Sequence, residues 1–178
     1  MYYPTAYPAY GWYSPHRLYG YSYGAGGPDG TALRTQTTPY KSLEEALALI
    51  KQAVSGERED ELFYDYLIAE APTEEDKEVI RSIRDDERRH NRMFRSIYQA
   101  YTGETLPPST DTAFERPASY SEGLRRALFG ELGAVERYRN IRAGLPDRYY
   151  RDMVFEILTD ELKHASKYNY LITLDRTR

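Results

Sequence analysis

From Ser42 onward, apolar residues return every three or four positions, the spacing of one face of an α-helix. Leu43, Leu47, Ile50 and Val54 open the first such stripe, which continues in phase through Glu57, Glu61, Tyr64 and Ile68. Ser42-Leu43-Glu44-Glu45 is a capping box and Pro72 is a stop, so the pattern predicts one helix running to about Pro72. Thr73, followed by Glu74, Glu75 and Asp76, caps a second helix. Its inner stripe is Ile80, Ile83, Glu87, His90, Phe94, Ile97 and Tyr101, and Gly103 ends it. Ser119-Tyr120-Ser121-Glu122 is a second capping box. Leu124, Ala127, Leu128, Glu131, Val135 and Tyr138 then line a third helix that Gly144-Leu145-Pro146 stops. A fourth begins at about Asp147 and carries Val154, Ile157, Glu161, His164, Tyr168 and Leu171. The Pro-containing link between Thr102 and Ala118 is much longer than the turn at Pro72. Two short-looped helix pairs joined by one long crossover predict an all-α four-helix bundle over residues 41–175.

The two pairs are copies of one another. Gly56-Glu57 and Gly130-Glu131 lie 74 positions apart, as do Tyr64 and Tyr138, and Asp86-Glu87-x-x-His90 and Asp160-Glu161-x-x-His164. Apolar positions follow the same offset: Ile50 with Leu124, Ala53 with Ala127, Ile80 with Val154 and Ile83 with Ile157. Glu and His three apart share a helix face. One Glu-x-x-His reads equally as a charged helix surface; two at the offset that also pairs the Gly-Glu steps do not.

A buried carboxylate costs several kcal/mol unless it is paired or bound to metal. Four glutamates at one level of a bundle therefore need strong counter-charge, and two divalent cations supply it. The candidate ligands are Glu57, Glu87, His90, Glu131, Glu161 and His164. Metal-bound imidazole donates its other N–H to a carboxylate or carbonyl, a role for which Asp86 and Asp160 are placed. Tyr64 and Tyr138 lie two turns beyond Glu57 and Glu131, where a phenol either contacts the site or packs the core.

The Gly-Glu-x6-Tyr and Asp-Glu-x-x-His patterns resemble the di-iron domain of rubrerythrins, within the ferritin-like superfamily, over roughly residues 42–174. The resemblance implies that Glu87 and Glu161 bridge two irons, that Glu57 and Glu131 are terminal carboxylates, and that His90 and His164 each bind one iron. It implies reduction of hydrogen peroxide, or reaction with dioxygen, at the diferrous centre. Two departures stand out. The extra glutamate that rubrerythrins often carry three residues after the third-helix ligand is Ala134 here. Cysteine is absent, so there is no rubredoxin module and a peroxidase needs a separate electron donor.

The lack of cysteine also excludes disulfides, thiol chemistry and zinc–cysteine or iron–sulfur centres, leaving oxygen and nitrogen to hold any metal. Net charge is -4, with both signs interspersed, which gives no footprint for nucleic acid. No apolar run is long enough for a membrane span, and no basic-then-apolar leader opens the chain, so a cytoplasmic protein is expected. Manganese accepts the same ligands as iron. Ferritin-like iron oxidation and storage, a dimanganese catalase-like activity and a structural role are the alternatives to a di-iron oxidoreductase, and a homodimer is the expected assembly.

Residues 1–40 lack helical patterning. Tyr2, Tyr3, Tyr7, Tyr10, Tyr13, Tyr19, Tyr21 and Tyr23 alternate with glycine and proline and almost no aliphatic residue, which predicts a disordered tail. His16 falls there without a partner motif. The composition resembles segments of bacterial spore-coat proteins, which implies a cross-linked assembly in which the tyrosines are coupled or adhere.

Overall fold

The computed structural model describes residues 41–109 and 114–177. The tyrosine-rich stretch 1–40, with His16, lies outside the described residues. Among the described residues there are five α-helices and no strand: α1 Leu43–Ser55, α2 Glu57–Glu70, α3 Glu74–Thr102, α4 Tyr120–Gly144 and α5 Arg148–Thr177. The all-α bundle read from the periodicity is the fold that forms. No helix among the described residues is long and apolar enough to cross a membrane.

One element differs from expectation. The first helix is broken at Gly56, whose φ of -87° and ψ of 1° leave the helical region. Glycine is a poor helix former, and the acidic run after it suits a new helix start. Glu57, Glu59 and Asp60 all fall in the first turn of α2, where the positive end of the helix dipole favours them. The stripe through Glu57 therefore belongs to two helices.

The other boundaries follow local chemistry. Ser42 Oγ accepts from the Glu45 N–H at 3.1 Å, and Glu45 accepts from the Ser42 N–H at 2.8 Å, completing the box. At α4 the box is shifted by one residue. Ser119 Oγ accepts from the Glu122 N–H at 3.1 Å, but Glu122 turns back to the N–H of Ala118 at 2.7 Å. Gly103 ends α3 with φ of 74°, a conformation that only glycine adopts without strain. Gly144 ends α4 against the start of α1, where a Cβ would sit 2.4 Å from the carbonyl oxygen of Ser42.

α4 and α5 pack along one another, α1 and α2 lie against α3 and α4, and α3 lies against α5. The long link is the crossover. It begins beside α3, where Arg95 donates to the carbonyls of Leu106 and Pro107. It then passes along α2, where Phe114 stacks edge-on with Phe63, and Tyr66 donates to the Pro117 carbonyl.

The apolar core falls into two clusters. Ile50, Val54, Phe94, Val135, Tyr138 and Ile157 belong to one, and Tyr64, Leu67, Ile83, Leu124, Ala127 and Tyr168 to the other. On each long helix the polar motif falls between them: Glu87 and His90 between Ile83 and Phe94, Glu131 between Ala127 and Val135, Glu161 and His164 between Ile157 and Tyr168. The site is a polar slab across the middle of the bundle.

Candidate metal centre

Glu131, Glu161, His90 and His164 are buried, with exposures of 6%, 1%, 1% and 0%. Glu87, Glu131, Glu161 and His164 each offer one ligand atom, and those four atoms all lie within 4.8 Å of one another. His164 Nδ1 is 3.1 Å from Glu87 Oε1, 3.8 Å from Glu131 Oε2 and 3.9 Å from Glu161 Oε2. His90 Nδ1 faces the same carboxylates from the other side, 3.1 Å from Glu161 Oε1 and 3.5 Å from Glu87 Oε1. The two imidazoles stand 5.7 Å apart at 29°.

These contacts are close but misaligned. Glu87 Oε1, Glu161 Oε1, His90 Nδ1 and His164 Nδ1 are all buried without a hydrogen-bond partner. Buried polar atoms are rarely left so, and four orphans converging on one point are what a bound cation would satisfy. Carboxylate oxygen and imidazole nitrogen are donors suited to first-row divalent metals such as iron and manganese.

The outer nitrogens are fixed by exchange between the two repeats. His90 Nε2 donates to Asp160 Oδ2 and His164 Nε2 donates to Asp86 Oδ2, each at 3.1 Å. A carboxylate can only accept, so each Nε2 carries the proton and Nδ1 is the atom turned inward. Arg89 and Lys163, themselves equivalent under the 74-residue offset, clamp both aspartates. Arg89 lies 2.6 Å from Asp160 and 3.2 Å from Asp86; Lys163 lies 2.7 Å and 2.9 Å from the same two. Burial raises the Asp86 carboxyl, but His164 and Lys163 outweigh it and hold the group at about 2.

In the metal-free state protons stand in for cations. Burial pulls His90 down, yet the neighbouring Glu161 and Glu87 lift it to about 10. Burial likewise opposes His164, and Glu131, Glu161 and Glu87 together raise it to about 12. Burial pushes Glu131 well above the carboxylate range, whereas the two imidazoles hold Glu161 below it against its own burial.

Glu57 lines a recess that also borders Glu87 and His90, but it is turned to an arginine. Its Oε2 accepts from Arg95 at 2.6 Å, and its side chain is 40% exposed. Arg95 is in turn fixed by Asn91 and by the crossover carbonyls, so the crossover holds the partner of Glu57 in place. Glu61, the other polar residue of that stripe, forms a two-armed pair with Arg88 at 2.6 Å for both arms. The acidic residue of α2 that lines both recesses is Asp60, absent from the sequence-derived set. Asp60 is exposed over much of its surface, while its carboxyl lies against recess walls that include Glu87. Burial there, and the Glu87 charge, push it up to about 7. The doubled pattern holds a signal for it: Asp60 stands where the second repeat has Ala134.

Two recesses reach the slab. One of about 50 Å³, between α2 and α3, is lined by Glu57, Asp60, Tyr64, Glu87, His90 and Tyr138 among others. A second of about 200 Å³, between α2 and α4, brings Gly130, Arg126 and Arg137 to its wall along with Glu87, Glu131 and Glu161. Tyr64, Tyr138 and Asp60 line both. Gly130 has nothing within 4 Å of where a Cβ would be, which leaves that opening wide. Tyr138 also packs edge-on against Phe94 at 4.9 Å. Burial raises the phenols of Tyr64, Tyr138 and Tyr168 well above their usual value, so they stay protonated at neutral pH.

Residues 48–120 match the Rubrerythrin family model. The match runs from within α1 to the start of α4. The uncharacterized protein YhjR of Bacillus subtilis (strain 168) is 26% identical over 134 residues, covering 75% of this chain and 91% of that protein. No solved structure matches.

Proposed function

We propose that this protein is a di-iron oxidoreductase that reduces hydrogen peroxide, with dioxygen as the alternative oxidant at the same centre. The observation that carries the reading is the recess of about 200 Å³ that leads to Glu87, Glu131 and Glu161. A metal that only staples helices together sits in a closed site, whereas a reactive one keeps a position open to a substrate. Ferrous ions bound here supply two electrons at open coordination positions, enough to convert hydrogen peroxide and two protons into two waters.

The rest falls to the chain's own residues. Glu87 and Glu161 lie between the two imidazoles and are placed to bridge. His90 and His164 would hold metal through Nδ1, and Glu131 would do so at the His164 side. Asp86 and Asp160 lock both rings in that orientation. Tyr64 and Tyr138 hold protonated phenols along both recesses, donors for an incoming oxygen species. With no cysteine in these residues to carry a rubredoxin-type centre, we take the reducing equivalents to come from a separate donor.

Manganese takes the same donors, and elemental analysis of the purified protein separates the two metals. The activity is tested by stopped-flow mixing of iron-loaded, reduced protein with hydrogen peroxide. The bound iron should be oxidised much faster than free ferrous ion under the same conditions. Oxidation no faster than that of the free ion would overturn the reading.

A further inference from the structure

The two halves of the centre are unequally furnished. On the His164 side a complete set converges: His164, Glu131, and the shared Glu87 and Glu161. On the His90 side the shared carboxylates and the imidazole are in place, but the expected terminal carboxylate, Glu57, is bound to Arg95. The recess of about 50 Å³ opens against His90 and Glu87. His90 is 1% exposed and its Nδ1, on the site side of the ring, has no hydrogen-bond partner. Room and an unsatisfied donor therefore coincide.

Glu57, Asp60 and Glu61 of α2 all border this recess, and Asp60 is the one not paired with an arginine. It lines this recess and the larger one, so it stands on the part of α2 that lies between α3 and α4. Among the described residues its carboxylate has no ion-pair partner, in contrast to Glu57, Glu59 and Glu61, each of which is paired with an arginine. Position 60 corresponds to 134, and the second repeat has there an alanine that offers no ligand.

We propose that Asp60, rather than Glu57, supplies the carboxylate of the first repeat to the metal ion held by His90. This rests on the dinuclear reading above and refines it: one half-site is built from α3, α4 and α5, and the other is closed by Asp60 on α2. Arg95 then has a structural task, tying Glu57 to the crossover, and the metal pair is bound asymmetrically although its helices are duplicated.

Anaerobic titration of the full-length metal-free protein with ferrous ion, followed by metal analysis after dialysis, tests the assignment. A parallel titration with cobalt(II) adds the visible absorption of each bound ion. The wild type should bind two ions per chain. Asp60→Asn should keep the first and weaken the second by at least about tenfold, the lower end of what lost outer partners cost a metal site. The cobalt band of the second ion should change with it. Glu57→Gln should leave both ions and both bands unchanged. Asp60 is exposed, so its replacement spares the core, and circular dichroism checks folding. Two ions with unchanged bands in Asp60→Asn, or loss of an ion in Glu57→Gln, would overturn the proposal while leaving the dinuclear centre intact. A wild type that binds no metal would instead overturn the dinuclear reading itself.

Discussion

The two helix pairs share one sequence pattern and differ in how it is executed. α4 and α5 are uninterrupted, pack along their length, and set Glu131, Glu161 and His164 in the core. Their counterpart is broken at Gly56, and its first glutamate faces an arginine at the edge of the bundle. A continuous helix carries a ligand into the core by its phase alone. A helix that restarts at the ligand resets that phase, and neighbouring charges then decide where the side chain goes. Duplication of a motif does not ensure duplication of a site.

The comparison breaks most directly at the histidines. If the second pair holds the preassembled half, His164→Ala should abolish the tighter metal equivalent, and His90→Ala should leave one ion per chain. Isothermal titration of both variants checks this; equal losses would mean that the halves are equivalent after all.

Packing is the next largest effect. Gly144→Ala places a Cβ 2.4 Å from a backbone oxygen of Ser42, so α1 must shift. Overpacking of this kind costs about 1–3 kcal/mol, to be read as a lower urea midpoint.

Access can be altered without touching a ligand. Gly130→Leu projects into open space at the recess between α2 and α4. Metal content should stay at the wild-type value while oxidation of the bound iron by peroxide slows several-fold in stopped flow. An unchanged rate would place the entrance elsewhere.

The fold was legible because each helix announces itself by caps and a periodic apolar face. The centre was legible because Glu-x-x-His occurs twice at one offset. The break at Gly56 was not, since apolar spacing runs in phase through it, and a glycine followed by acidic residues reads equally as a weak point or a continuation. The pairing of Glu57 with Arg95, itself held by carbonyls of the crossover, joins segments distant in sequence. The exchange of aspartates between histidines is of the same kind: each Asp precedes one motif and serves the other. Asp60 was within reach, because the offset that identifies Ala134 also identifies position 60. The role of residues 1–40 lies outside the described structure.

A further effect is expected with pH. Both imidazoles titrate higher in the metal-free fold than in the unfolded chain, at about 10 for His90 and about 12 for His164. Their contribution to stability is therefore full below about pH 6.5 and is lost as pH rises through those values. Chelated protein should show a falling urea midpoint from pH 7 to pH 10, whereas loaded protein, with cations in place of the protons, should hold its midpoint. The smallest effect belongs to Gly56→Ala. A Cβ there meets only Asp60 Oδ2 at 3.7 Å, an ordinary contact, and the negative φ suits alanine. Stability should rise by at most about 1 kcal/mol, read in thermal melts.

The central claim is that the polar slab is a dinuclear metal site. Its most direct test is the iron content of wild-type and Glu161→Gln protein, each reconstituted anaerobically with ferrous ion and dialysed. Glu161 faces both imidazoles, at 3.1 Å from His90 and 3.9 Å from His164, so neither half survives its neutralisation. Two irons per chain in the wild type and none in the variant is the predicted result. An iron-free wild type, or equal iron in both proteins, would contradict it.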